Sequence, residues 1–539
     1  MCDNHLPKSN YKKLHQESSH DKEHSQWSRR SFIQALGLMG GGTMMFGNTN
    51  LSVSKPSPLA LALNESENDN ILVIIRLKGG NDGLNTIVPI YDYDTYAGLR
   101  PNIRLTEGSL YNLDADFGLP SFMSPLQSVW GDGAMKVIHG VGYPDQNFSH
   151  FESSDIWANT ATVDPDPTGW WGRYFEELYP DYLVNPPEIP PAIQIGSIGN
   201  LIFDGYNNNY AFTVANPDQL SAIAETGVVH DVTDIPPCFY GEQLQFIRAS
   251  TNTTFNYAGV INEAYEGATN DAPYDARELS QQLAIIARMI KGGLGTKVYL
   301  VTLGGFDTHA NQLTYHNQIM NDLSTAVKNF YDDLAVAGWD DKVLSMTISE
   351  FGRRPFENGS FGTDHGAASA MMLFGSGLEG NGFVGEHPSL TATDPLGNLI
   401  YNQDFRNIYA TIMIEWLCID PVVVNAAMLN EDYETVPLGF ACNSLDVDEF
   451  SERTRFEHFA LYRDDRTYIS FNMPLSTHVT VKLYNIIGQE VAELKNDVLF
   501  IGEHEIDVKT AANTRLHTGQ YIYRISLAGE HYSKSIIIR

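Results

Sequence analysis

The chain is poor in three things. It has only 4 cysteines in 539 residues, and no Cys-x-x-Cys pair among them. That excludes a zinc-finger scaffold and a disulfide framework as the basis of the fold. Cys2 lies in the leader, and removal of the leader leaves Cys238, Cys418 and Cys442, of which any two could form a single bridge. Positive charge is also scarce: 34 Lys and Arg stand against 66 Asp and Glu, a formal net charge of -32. Such a surface repels phosphate backbones and anionic lipid, so nucleic-acid binding and docking on anionic membranes are excluded. Finally, no apolar run is long enough to span a bilayer. The run from Phe32 to about Phe46 is short and broken by Gly40, Gly41 and Gly42. Hydrophobic residues nevertheless make up 43% of the chain, enough for a sizeable core.

Three regions differ in texture. Residues 1–62 begin polar and contain Ser28-Arg29-Arg30-Ser31-Phe32-Ile33 before the weak apolar run, with Ala60-Leu61-Ala62 as a small-residue cleavage site. An arginine pair followed by a weak apolar stretch is a twin-arginine export signal, which predicts the twin-arginine translocase as a partner and export through the periplasm. Residues 63–445 form the main domain, 446–457 a linker, and 458–539 a small β-unit. In the last, short period-2 segments alternate with turns; Val479, Val481 and Leu483 share one face, and Gly519 to Ser526 reads as a strong strand. This pattern predicts a small immunoglobulin-like β-sandwich. Leu483 to Val491, Gly502 to Asp507, Leu516 to Arg524 and the terminal Lys-Ser-Ile-Ile-Ile-Arg resemble the type A C-terminal sorting domain of type IX secretion. The resemblance implies the type IX machinery as a second partner and a secreted or cell-surface destination.

In the main domain, apolar runs at Ile71–Leu77, Met135–Val141, Lys297–Leu303, Val343–Ile348 and Ala370–Phe374 read as buried strands. Leu279, Leu283, Ile286 and Ile290 recur at helical spacing, as do Leu323, Val327, Phe330 and Leu334. Strand–helix alternation predicts an α/β fold, a doubly wound sheet sandwiched by helices, with its site at the carboxyl ends of the strands.

Those ends carry chemistry. The first strand leads into Gly79-Gly80-Asn81-Asp82-Gly83, and the second into Gly142-Tyr-Pro with Ser149-His150-Phe151 beyond. Later ends lead into Gly305-Phe306-Asp307-Thr308-His309 and Ser349-Glu350-Phe351-Gly352-Arg353, with Asp364-His365-Gly366 nearby. Asp, Glu and His are ligands for a divalent metal, here zinc, manganese or calcium. Candidate ligands are Asp82, Asp307, His309, Glu350, Asp364 and His365. Ser149, at the start of a helix, is a candidate nucleophile, and Arg353 a candidate holder of a substrate oxyanion. Each has a plainer reading. Asp82 fits a turn, Ser149 a helix cap with Glu152, Asp307 and His309 a cap of the next helix, and Glu350 a salt bridge with Arg353. His316 reads as structural. Gly79-Gly80-x-x-Gly83 misses the dinucleotide fingerprint, so NAD is not expected.

Lys78 to Thr86, Gly142-Tyr-Pro with Ser149 to Glu152, Gly169 to Arg173, Gly304 to His309, Ser349 to Arg354, Asn358 to Gly366 and Asp404-Phe-Arg406 together resemble the domain of unknown function 1501 family. That family looks related to the alkaline phosphatase and sulfatase superfamily. The resemblance implies that Asp82 is a first-strand metal ligand, Ser149 the nucleophile, and Asp307 with His309 ligands of one metal. Asp364-His365 is then either the superfamily's Asp-His pair or, through His365, its last histidine; in the second placement Glu350-Phe351 stands at the Asp-His position, with Phe in place of His. The function implied is metal-dependent hydrolysis of phosphate or sulfate esters on a small anionic substrate. The alternative is a non-catalytic exported binding or assembly protein on a degraded hydrolase fold.

Overall fold

The computed structural model describes residues 68–539, except 183–184, 197–198, 228, 233–234, 237–238, 430–432, 441, 443–455, 457, 464–465, 474–476, 486–488, 500–501, 513, 515, 528–529 and 539. The leader with its arginine pair and Cys2, nearly all of the linker, and Cys238 therefore lie outside the described residues.

The main domain is built on a nine-stranded sheet. In chain order its strands are β1 (Ile71–Lys78), β2 (Met135–Gly142), β3 (Ala192–Ile195), β4 (Ala211–Val214), β5 (Val298–Gly304), β6 (Val343–Ile348), β7 (Ser369–Phe374), β8 (Gly382–Val384) and β9 (Gln403–Asp404). Their order across the sheet is β8-β2-β7-β6-β1-β5-β3-β4, with β9 also on β2. All five apolar runs became strands. Ile71 to Ile75 are all buried, so both faces of β1 are covered, as a parallel sheet requires. One strand departs from the parallel pattern: β7 runs antiparallel to both β6 and β2. The helices used below are α1 (His150–Asn159), α2 (Glu278–Lys291) and α3 (Gln312–Val336). The apolar stripes read from the sequence are buried in α2 and α3. Cys418 and Cys442 form a disulfide.

β1 lies between β5 and β6 and is parallel to both, with Lys78 opposite Gly304 and Arg76 opposite Ile348. The chain therefore leaves all three strands at the same end, side by side. The C-terminal unit is all-β, with strands β10 (His458–Arg463) to β16 (Glu530–Ile538) in antiparallel sheets of three and four strands. Ile469, Phe471, Val479, Val481, Leu483, Tyr523 and Ile525 fill one common core.

Candidate metal centre

Two glycines make the first loop. Gly79 and Gly80 have φ of +128° and +84°, which L-residues with side chains rarely adopt. A Cβ on Gly79 would stand 2.4 Å from the Asp307 nitrogen, so the loops after β1 and β5 touch backbone to backbone. Arg353 locks this contact. It is fully buried, and its guanidinium donates to the carbonyls of Gly79, Gly80, Phe306 and Thr363 and to Asp307 Oδ1 at 2.8 Å. The sequence reading expected Arg353 to hold a substrate oxyanion; in the structure its guanidinium donates to the protein's own loops.

Asp307 is the focus of the site. Burial pushes its carboxyl up, but the hydrogen bonds from Arg353 and His365, with the charge of Arg353, hold it down at about 2. His365 Nε2 lies 3.2 Å and His309 Nε2 3.1 Å from Asp307 Oδ1, while His150 Nε2 lies 3.5 Å from Oδ2. The two nitrogens of His309 and His365 are 3.0 Å apart. Ligand atoms of His150, Asp307 and His365 all fall within 4.8 Å of one another. Donors about 2.1 Å from a tetrahedral metal lie about 3.4 Å apart, so a group spaced in this way could hold a metal ion, and the same spacings serve hydrogen bonds and ion pairs.

Each imidazole is turned by its other nitrogen. His150 Nδ1 sits 2.9 Å from Glu350 Oε1, His309 Nδ1 3.2 Å from Asp364 Oδ1, and His365 Nδ1 2.8 Å from the Phe148 carbonyl. These oxygens only accept, as does the Asp307 carboxylate on the other side, so a ring that gives its proton to Nδ1 turns the lone pair of Nε2 inward and one that keeps it on Nε2 donates to Asp307. Outer groups of this kind orient metal-binding histidines. Glu350 and Asp364 therefore stand behind His150 and His309, whereas the sequence reading expected them to be metal ligands themselves. Glu350 is buried, also accepts from the Gly79 amide at 2.8 Å, and its Oε2 has no partner among the described residues, beside a small cavity lined by Arg76, Ser154 and Trp157. The Asp364 carboxyl is held low by the Asn358 amide and, against burial, by His309. Burial lowers His365.

Two expected residues stand apart from this cluster. Asp82 is buried in an ion pair with Arg100, 2.6 Å away, and also accepts from Gln312 and the Leu84 amide. Burial would raise its carboxyl, but Arg100 keeps it low. Where a metal ligand was expected, the structure has a guanidinium cross-link. Ser149 does begin α1, yet its exposed hydroxyl has no hydrogen-bond partner among the described residues, and no base stands against it. His316 is structural, buried and bonded to Asn81.

The residue missed was His150, one position after Ser149. The signal was available, since whatever opens a helix after a strand end faces the same loops. Phe351, at the place where a histidine was expected, packs its ring 4.9 Å from His150 and 4.2 Å from His365.

Comparison with known proteins agrees with both family resemblances. Residues 248–433 match the family described as a protein of unknown function, DUF1501, and residues 463–539 match the secretion system C-terminal sorting domain. The second match marks a secreted or cell-surface protein. No curated protein matches the chain. Among solved structures it is similar to the lipoteichoic acid synthase LtaP from Listeria monocytogenes, at 9% identity over 82% of this chain and 90% of that one, TM-score 0.31. A sulfatase from Pseudoalteromonas sp. shares 9% identity over 85% and 89%, TM-score 0.30. The alkaline phosphatase of the Antarctic bacterium TAB5 shares 8% over 59% and 94%, TM-score 0.26. None of these likenesses places a residue of this chain. No described helix is long and apolar enough to cross a membrane.

Proposed function

We propose that the protein is a secreted hydrolase of phosphate or sulfate esters that depends on one divalent cation, held by His150, Asp307 and His365 with His309 within reach as a fourth donor. The observation that supports this is the convergence of three imidazoles, each with Nδ1 against an oxygen acceptor, on one ionised carboxylate. Nitrogen donors in this number suit zinc or manganese better than calcium, which takes oxygen. A bound cation would supply a Lewis acid for an ester oxygen and acidify water.

The chain's own residues would divide the remaining work. Arg353 and Glu350 hold the ligands. With Arg353 committed, Arg76, Lys78 and Arg354 are cations on neighbouring segments for which no side-chain ion pair is found among the described residues. Lys78 is exposed at the end of β1, two residues beyond Arg76 and so on the same face, which Arg76 shares with α1 through a 2.9 Å bond to Ser154. Arg354 has no side-chain ion pair among the described residues, and its Nε has no partner. In a chain of net charge -32, the Arg354 charge felt at Asp364 favours an anionic substrate. A non-catalytic role draws its support from a different observation, the locking of Asp82 by Arg100 and the isolation of Ser149.

Metal content of the purified full chain, measured by plasma mass spectrometry, tests the reading together with a screen of aryl phosphates and sulfates. One equivalent of zinc or manganese, lost in His150→Ala and Asp307→Ala, with ester turnover that follows the metal, is the expected result. Stoichiometric metal without turnover favours the binding role. Failure to retain zinc or manganese after adding them back overturns the proposal.

A further inference from the structure

The three imidazoles that face Asp307 are not held equally. His150 leans on the Glu350 carboxylate, whose side chain is 2% exposed, and His365 leans on the Phe148 carbonyl, a backbone group. His309 leans on Asp364, and these two side chains stand nearly half in water, at 45% and 49% exposed. His309 is nevertheless well placed. Its Nε2, His365 Nε2 and Asp307 Oδ1 make a triangle with sides of 3.0, 3.1 and 3.2 Å. An exposed side chain keeps its rotamer freedom unless something fixes it, so this placement needs a tie.

Asn358 supplies one, and its side-chain amide works at both ends. Oδ1 accepts from the amides of Ser360 at 2.9 Å and Gly362 at 3.1 Å, and so closes its own loop. Nδ2 donates to the His309 carbonyl at 3.0 Å and to Asp364 Oδ1 at 3.1 Å. The same Asp364 oxygen lies 3.2 Å from His309 Nδ1. One amide thus grips the backbone of His309 directly and its ring through Asp364. The loop is pressed against that backbone: a Cβ on Gly362 would stand 2.3 Å from the His309 carbonyl carbon, and the Thr363 amide donates to the Thr308 carbonyl at 3.2 Å. Loop closure needs only the oxygen. Aspartate closes such turns as asparagine does, but at position 358 it would set a second carboxylate against Asp364. An oxygen for the loop together with an N–H for a carboxylate is what the amide alone provides.

We propose that Asn358 is a positioning residue that carries His309 to the cation as its fourth donor, beside a set of His150, Asp307 and His365 that does not depend on it. The inference rests on the cation reading above and deepens it. The centre then has a firm part and a part delivered by the loop of residues 358–364. Loss of an outer partner of a metal-binding histidine lowers affinity by about 10- to 100-fold, and with three donors remaining the lower end is expected.

Asn358→Asp keeps the loop-closing oxygen and removes the N–H. Competition of the full chain with a fluorescent zinc chelator at fixed pH reads the affinity. The expected result is one equivalent of zinc bound about tenfold more weakly than in wild type, with a similar loss in His309→Ala. In the double variant the two losses should not add, because nothing is left to position. A merely structural role would weaken His309→Ala as much as it weakens the wild type. With cobalt in place of zinc, the visible spectrum of Asn358→Asp should match that of His309→Ala rather than that of the wild type. Asp364→Ala leaves the loop closure whole and cuts the chain of contacts at its next link, so it should repeat the result even if Asn358→Asp melts lower. Affinity within about twofold of wild type in Asn358→Asp and Asp364→Ala, or losses that add to that of His309→Ala, overturns the role of Asn358 and leaves the cation reading standing. A wild-type chain that retains no zinc overturns both.

Discussion

Replacing Glu350 by Gln tests whether the outer carboxylate governs the metal. Gln keeps the shape and one acceptor, so the hydrogen bonds from His150 Nδ1 and the Gly79 amide can persist at Oε1. Two things change. The negative charge behind His150 disappears, which makes Nε2 a poorer donor. An NH2 group then occupies the position of the unpartnered Oε2, in a cavity that Arg76 already lines with positive charge. Loss of such an outer partner costs 10- to 100-fold in metal affinity, or about 1.4–2.7 kcal/mol. Competition with a fluorescent zinc chelator at fixed pH reads the dissociation constant directly, and a thermal melt of the metal-free variant shows whether the fold is intact. A dissociation constant within about twofold of wild type, in a folded variant, would refute the idea that Glu350 tunes His150.

Other outcomes follow from the same geometry. Asp82→Asn should leave metal content unchanged but strand the buried Arg100 charge, and loss of one partner of a buried pair costs about 3–5 kcal/mol in a denaturant titration; loss of metal instead would return Asp82 to the ligand set. His316 is fully buried and its imidazole is lowered to about 4, so the unfolded chain, near 6.5, takes up the proton first. Stability should therefore be complete above pH 6.5 and fall by about 3 kcal/mol as pH drops toward 4, and His316→Gln should flatten urea midpoints in that window. Reduction of the Cys418–Cys442 bridge, which spans 24 residues, should cost about 3.5 kcal/mol by loop closure, and an unchanged melt under phosphine reductant would contradict this. Protein stripped with chelator should still unfold cooperatively, because Arg353 ties the loops without the ion; a broad, uncooperative melt would show that the ion does the tying.

Much of the fold was legible because a parallel sheet buried on both faces writes its strands as unbroken apolar runs, and each of the five runs proved to be a strand. Their order was not legible. Nothing in Ala370 to Phe374 announces that this segment enters between β2 and β6 and runs backwards. At the site, the loops were found but the roles within them were not. Asp, Glu and His read the same from sequence whether they face a cation or stand behind a residue that does, and only the direction of the side chain separates Glu350 from Asp307. Arg353 and Arg354 are neighbours of identical chemistry; burial of the first and partial exposure of the second set them apart. His150 was overlooked because attention fell on the hydroxyl beside it, and a helix start fixes a place without saying which of two adjacent side chains turns inward.

The clamp formed by Arg353 bears on the timing of assembly. In many small metalloproteins the ion gathers a chain that has no shape without it, so folding must wait for supply. Here a single guanidinium draws the loops around residues 79–80, 306–307 and 363 together by their carbonyls, and the Nδ1 partners set the rings, all with groups the chain brings itself. A cation bound there, as proposed, would meet a cradle that the chain's own groups hold in shape. On that proposal, a protein sent across membranes could travel empty and be filled where it works, and the composition of its surroundings, rather than that of the cell that made it, would decide which ion it carries.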